Sequence, residues 1–178
     1  MPRLGVGKAG NKGDTRPVDN CDIESTVTPW RSMPRAIRIH TIGYQQRTGV
    51  ELVQALVAAR VEFLVDVRAV PMSRKPDFRK NRLAGLLEEA GIRYVGMPGL
   101  GTPKFLRDKL AADGNYDDFF DRFRQHLRSV EAHLESLARL TDRKRVSLMC
   151  FERDPAECHR SAIADRVSGI LETPILHL

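Results

Sequence analysis

The chain has 178 residues, enough for one full core and too short for several domains of ordinary size. A composition of 42% hydrophobic and 29% charged residues excludes a disordered class, and no apolar run approaches the roughly 18 residues a membrane-spanning helix needs. The net charge of +6 favours an anionic partner, while an odd count of three cysteines argues against a secreted disulfide framework.

Residues 1–34 are rich in Gly, Pro, Asn and Lys and have no sustained apolar period, so a disordered N-terminal extension is expected there. Without a hydrophobic signal segment, a cytoplasmic location is expected. The fragment GVGKAGNKGDT is not a phosphate loop, because Ala9 replaces the Ser or Thr after Lys8 and no strand leads into it. MPR occurs at Met1 and again at Met33, consistent with a leader added upstream of the folded part.

From residue 35 the pattern alternates. AIRIHTIGY (36–44) predicts a strand, and Leu52, Val53, Leu56 and Val57 predict a helix. VEFLVDVR predicts a second strand, and Leu83, Leu86 and Leu87 a second helix closed by Gly91. IRYVGM predicts a third strand. A short helix near 105–110 follows, ended by Asp113-Gly114-Asn115. Phe120, Phe123, Leu127, Val130, Leu134 and Leu137 form one stripe and predict a single long helix over YDDFFDRFRQHLRSVEAHLESLARL. RVSLMC, SAIADRVSGIL and PILHL complete the series as strand, helix and strand. Residues 35–178 are therefore expected to form a single α/β domain: a mostly parallel sheet of about five strands with helices on both faces. The loops after the strands then share one edge, where open α/β sheets bind ligands.

CFERDPAECHR, residues 150–160, is the densest chemical stretch on that edge. Cys150 ends a strand, and Asp154-Pro155-Ala156-Glu157 has the form of a capped helix start. Cys158 is expected in the first turn, where the helix dipole favours a thiolate. His159 is placed to move a proton and Arg160 to hold an anion bidentately. Cys150, Cys158 and His159 are the candidate catalytic residues, with the choice of thiol open. The competing reading is a buried strand end and a loop stabilised by His159 and Arg160.

Seven residues between the thiols is far from the short spacing of a structural zinc clip, so no metal or cofactor is expected. A redox pair would lack C-x-x-C. A phosphatase loop would need an arginine at another spacing and would suffer from Asp154 and Glu157. Between Arg68 and Arg82 six basic residues face one acidic residue, Asp77. Asp66 and Arg68 lie on one side of their strand, pointing to the rim or pairing with each other. Ser73, Arg74, Lys75, Arg79, Lys80 and Arg82 are placed to follow phosphates. Phe78 is placed either to stack on a base or to anchor in the core. His126 and His133 are expected to face solvent.

TIGYQ (41–45), VDVRAVPMSRKPDF (65–78), YVGMPGLG (94–101) and LMCFERDPAECHRSAIAD (148–165) together resemble the domain of unknown function 488 family, from about residue 37 to the C-terminus. The resemblance implies a compact α/β domain and names no reaction. It also implies that Arg68, Pro71, Ser73, Phe78, Tyr94, Cys150, Glu152, Pro155, Cys158, His159 and Arg160 occupy family-type positions. Tyr44-Gln45 stands where the family usually has His-Ser, and Thr102 where a second glycine is common.

The expected function is an enzyme acting on a phosphate-bearing substrate, a nucleotide or nucleic acid, as a thiol-dependent hydrolase or transferase. Thr41, Tyr44, Asp66, Arg68 and Ser73 are candidate substrate-binding residues from the first two loops, with Arg74 and Phe78. Tyr94, Glu152 and Arg160 complete that set. The alternatives are a non-catalytic nucleic-acid binder and a protein-interaction module. No membrane partner is expected, and nothing in the residues sets the oligomeric state.

Overall fold

A computed structural model describes residues 39–178, so the expected extension over 1–34 lies outside the described residues. Five strands form one parallel sheet: β1 (Ile39–Gly43), β2 (Phe63–Asp66), β3 (Arg93–Gly96), β4 (Val146–Cys150) and β5 (Ile175–His177). Their order is β3-β2-β4-β1-β5. The helices are α1 (Gly49–Ala58), α2 (Lys80–Glu89), α3 (Lys104–Asp113), α4 (Tyr116–Ser129), α5 (Glu131–Arg143) and α6 (His159–Leu171). No helix among the described residues is long and apolar enough to cross a membrane.

Local signals explain the boundaries. Thr48 and Glu51 form a reciprocal capping box that starts α1. Gly114 (φ 62°) ends α3 in the left-handed conformation, and the Asn115 side chain accepts from the Asp118 N–H to start α4. Two apolar layers cover the sheet. Ile42, Leu64 and Met149 pack with Leu52 and Leu56 of α1 and Leu83 and Leu87 of α2. Ile39, Val65 and Leu148 pack on the other face with apolar residues of α3, α4, α5 and α6.

The expected single long helix is two helices, broken at Val130 (φ −119°, ψ 29°). Its 14 and 13 residues would run about 40 Å as one rod at roughly 1.5 Å per residue. A five-residue strand spans only about 17 Å. Breaking the rod lets Phe119, Phe123 and Leu127 of one half, and Leu134 and Leu137 of the other, all reach the same core. Phe119, rather than Phe120, is the buried member at the start of that stripe.

Topology places the site. Strand β4 enters late in the chain and lies between β1 and β2, with Gly43 level with Cys150 and Asp66 level with Met149. The chain leaves β2 toward β3 and leaves β4 toward β5, in opposite directions across the sheet. Strand ends whose connections diverge in this way open a crevice.

Candidate functional site

Cys150 is the last residue of β4, and the chain turns directly above it. The N–H groups of Tyr44 and Gln45 donate to the carbonyls of Cys150 and Phe151 at 3.2 and 2.8 Å, tying the turn to the end of β1. This approach needs Gly43: a Cβ there would lie 1.8 Å from the Glu152 carbonyl oxygen. Gly43→Ala is therefore expected to displace the 151–153 turn and to lower stability by about 1–3 kcal/mol, measured by urea denaturation. Gly101 similarly lets the third loop rest against the Ala69 backbone.

Asp154 accepts from the Ala156 N–H at 2.8 Å, as a cap should. What it caps is a 3₁₀ turn, Pro155–Glu157, and not α6. Cys158 is extended (φ −124°, ψ 130°) and precedes α6, which begins at His159. The expected thiolate in a first helical turn is thus corrected. Cys158 is 1% exposed, and burial above all, with Cys150 beside it, pushes its thiol well up against the opposing pull of His159.

The fold-back through the 3₁₀ turn defeats the inference drawn from spacing. Both thiols reach one carboxylate: the Sγ atoms of Cys158 and Cys150 lie 3.0 and 3.2 Å from Glu152 Oε2. His159 Nδ1 is 3.6 Å from Cys150 Sγ, and Nε2 is 3.0 Å from the Val67 carbonyl. A carbonyl only accepts, so Nε2 carries hydrogen; in the neutral ring Nδ1 then turns a lone pair toward Cys150, whose single S–H serves either this nitrogen or Glu152. One ligating atom from each of Cys150, Glu152, Cys158 and His159 lies within 4.8 Å of all the others.

Burial opposes the Glu152 charge, but the Cys158 donor, its own backbone N–H, the Cys150 donor and His159 outweigh it, so the carboxyl stays below its ordinary value. Burial likewise opposes charge on His159, and Cys158, the Val67 carbonyl and Glu152 raise it. Burial keeps Cys158 protonated and uncharged, so it is the Val67 carbonyl and the Glu152 carboxylate that favour charge on His159.

Two buried arginines brace this cluster. Arg68 donates to Asp66 through Nε at 2.9 Å and a terminal nitrogen at 2.6 Å, and to the Tyr44 hydroxyl and Phe78 carbonyl at 3.1 Å each. The Tyr94 hydroxyl donates to the same carboxylate at 2.7 Å, and burial followed by the Asp66 contact pushes its ionisation to higher pH. Arg160, 1% exposed, donates to the carbonyls of Glu152 and Arg153 and to Thr41 Oγ1.

A cavity of about 210 Å³ opens onto the cluster. Tyr44, Arg68, Cys150, Glu152 and His159 line it, with Thr102, Arg107 and Phe151 around them. A family model described as "Domain of unknown function DUF488" matches residues 49–167. The chain belongs to the DUF488 family. No curated protein and no solved structure matches it.

The sites expected from the DUF488 sequence divide into three groups. Tyr44, Arg68, Cys150, Glu152 and His159 line the cavity. Thr41, Asp66, Tyr94, Cys158 and Arg160 stand behind it; the Arg160 fork read as an anion clamp holds backbone carbonyls instead. Phe78 is buried and stacked on Tyr44 at 4.3 Å between centroids, so its face is closed to a base. Ser73 lines a separate groove of about 630 Å³ with Met72, Arg79, Lys80 and Arg82, while Arg74 is exposed in the same loop. His133 is exposed as expected, and His126 is half-buried.

Arg107 was not legible as a site residue. It is an exposed side chain in the first turn of α3, without a hydrogen bond or ion pair among the described residues. The one signal it carried was its position just after the Gly101 loop, on the ligand-binding edge. The Val67 carbonyl that orients His159 is a backbone group and left no mark in the sequence.

Proposed function

We propose that this DUF488 protein is a thiol-dependent enzyme in which Cys150 is the nucleophile and His159 its proton acceptor, acting on a small phosphate-bearing substrate. One observation carries the reading: Cys150 is the thiol that lines the cavity, 3.6 Å from an imidazole nitrogen whose ring is fixed by the Val67 carbonyl. Cys158 lies behind it. Attack by Cys150 Sγ passes its proton to His159 Nδ1, which returns it to the leaving group. Water then releases the covalent adduct.

Size and charge favour the phosphate as a handle rather than the reacting centre. The cavity, at about 210 Å³, is smaller than the roughly 300–1,000 Å³ typical of drug-sized ligands. The Glu152 carboxylate on its floor repels a phosphoryl group. The reacting end therefore enters the cavity while the phosphate lies outside, on Arg107 or in the groove of Arg79, Lys80 and Arg82; Met72 lines both spaces.

The test is protection of Cys150 from iodoacetamide by inorganic phosphate, a nucleoside monophosphate and a short oligonucleotide. The nucleotide is expected to slow Cys150 alkylation in a salt-sensitive way, and the Arg79→Ala/Lys80→Ala/Arg82→Ala variant to lose that protection. Failure of all three probes to protect at low salt would contradict the substrate class. The basic groove also supports the non-catalytic nucleic-acid reading. Oligonucleotide binding by a protein whose Cys150 reacts no faster than free cysteine would favour it.

A further inference from the structure

We propose that Cys150, Glu152, Cys158 and His159 together form a binding site for a divalent cation of the zinc class, and that the metal-bound form is a resting state in which Cys150 cannot attack. The metal site itself goes beyond the thiol reading; only its inhibitory consequence rests on that reading.

Geometry is the first support. Tetrahedral zinc, with bonds of roughly 2.0–2.3 Å, sets its ligand atoms about 3.3–3.8 Å apart. The contacts here are 3.0, 3.2 and 3.6 Å, and no pair of ligating atoms is further apart than 4.8 Å. Small side-chain rotations convert one arrangement into the other.

Orientation is the second. A metal-ligating histidine commonly donates its remaining ring N–H to a carbonyl or carboxylate, which fixes the ring. His159 does so to Val67, leaving Nδ1 aimed into the cluster. The other ligands are also held. Cys150 sits on a central strand, and the Glu152 backbone is clamped by Arg160.

Charge is the third. Two thiols and a carboxylate share a site whose nearest buried arginines already serve other groups, Arg68 the Asp66 carboxylate and Arg160 backbone carbonyls. A divalent ion replaces the two thiol protons one charge for one, so the site keeps the single negative charge of its carboxylate and neither arginine has to change partners. The ion coordinates two thiolates, one carboxylate and one neutral imidazole, and two protons pass to solvent. Sulfur and imidazole donors select zinc, cobalt or copper over magnesium and calcium. With four protein ligands the set is closed, and the Cys150 sulfur is engaged by the ion. Cys150, Glu152 and His159 line the cavity, which gives the ion its route in.

Chelator-treated full-length protein titrated with Co²⁺ is the direct test. One equivalent is expected to produce thiolate charge-transfer absorption in the near ultraviolet and tetrahedral ligand-field bands in the visible, both displaced by Zn²⁺. Cys158→Ser and Glu152→Gln are each expected to weaken binding beyond the roughly 10–100-fold that second-shell changes cost. A folded wild-type protein that develops no such bands would overturn the proposal. So would bands unchanged in both variants. Alkylation of Cys150 in the metal-free protein separates the two readings. A reactive Cys150 with no cobalt bands removes the metal site alone. Cobalt bands with an unreactive Cys150 remove the nucleophile and leave the metal site standing. Zn²⁺ that binds without slowing a reactive Cys150 would overturn the resting-state claim.

Discussion

Asp66→Asn is expected to lower the stability of the fold by about 3–5 kcal/mol, the usual penalty for removing one partner of a buried ion pair. Asp66 is 1% exposed and accepts from the Arg68 backbone N–H, from two nitrogens of its guanidinium and from the Tyr94 hydroxyl. An asparagine offers one accepting oxygen and turns an N–H₂ toward donors, so Arg68 remains buried without a counter-charge. The damage also reaches the cavity wall, because Arg68 holds the Tyr44 hydroxyl and the Phe78 carbonyl. The check is a double-mutant cycle in urea. Asp66→Leu with Arg68→Met is expected to cost less than the two single changes added together, since it removes both charges at once. Strict additivity would show that the pair is not coupled.

Arg160→Met is expected to cost roughly 3 kcal/mol, from two carbonyls left unpaired inside the protein, while the Thr41 hydroxyl keeps its contact with His177 Nδ1. Arg160 joins β1, the turn above Cys150 and the first turn of α6 through Thr41, Glu152 and Arg153. Its effect should therefore exceed simple destabilisation. Releasing the turn exposes the buried Cys158, so this variant should show Cys158 alkylation under conditions where the wild type shows none. Arg160→Lys is expected to recover only part of the loss, because a point charge cannot replace a planar fork spanning two carbonyls. Site-resolved mass spectrometry after brief iodoacetamide treatment reads both effects.

Much of this architecture is legible in the chain because its signals are local. Strand runs such as FLVD and VSLMC are short and largely apolar, and helix stripes such as Leu52 with Leu56 repeat at helical spacing. The convergence of four loops on one edge follows from alternation alone. Long-range relations are another matter. Nothing local tells β4 to lie between β1 and β2, so the alignment of Gly43 and Asp66 with the end of β4 emerges only on folding.

The site shows the same division. CFERDPAECHR marks the right place, but its letters suit two backbones. Asp-Pro caps a 3₁₀ turn as readily as an α-helix, and the difference moves Cys158 from a polarised first turn to a buried position against Glu152. The separation of the thiols in sequence says nothing once that turn folds them onto a shared carboxylate. Arg160 has the right chemistry for an anion and the wrong address, because its partners Thr41, Glu152 and Arg153 come from elements that meet around it. Arg107 carries no pattern that separates it from any exposed helical arginine.

The most direct test of the central claim is site-resolved alkylation of metal-free protein at neutral pH. Cys150 is expected to react first and Cys158 only on unfolding, and His159→Gln is expected to slow Cys150 by at least about tenfold, a threshold set below the roughly hundredfold low end of general-base effects. Reaction at Cys158 before Cys150, or a Cys150 rate unchanged by His159→Gln, would contradict the account.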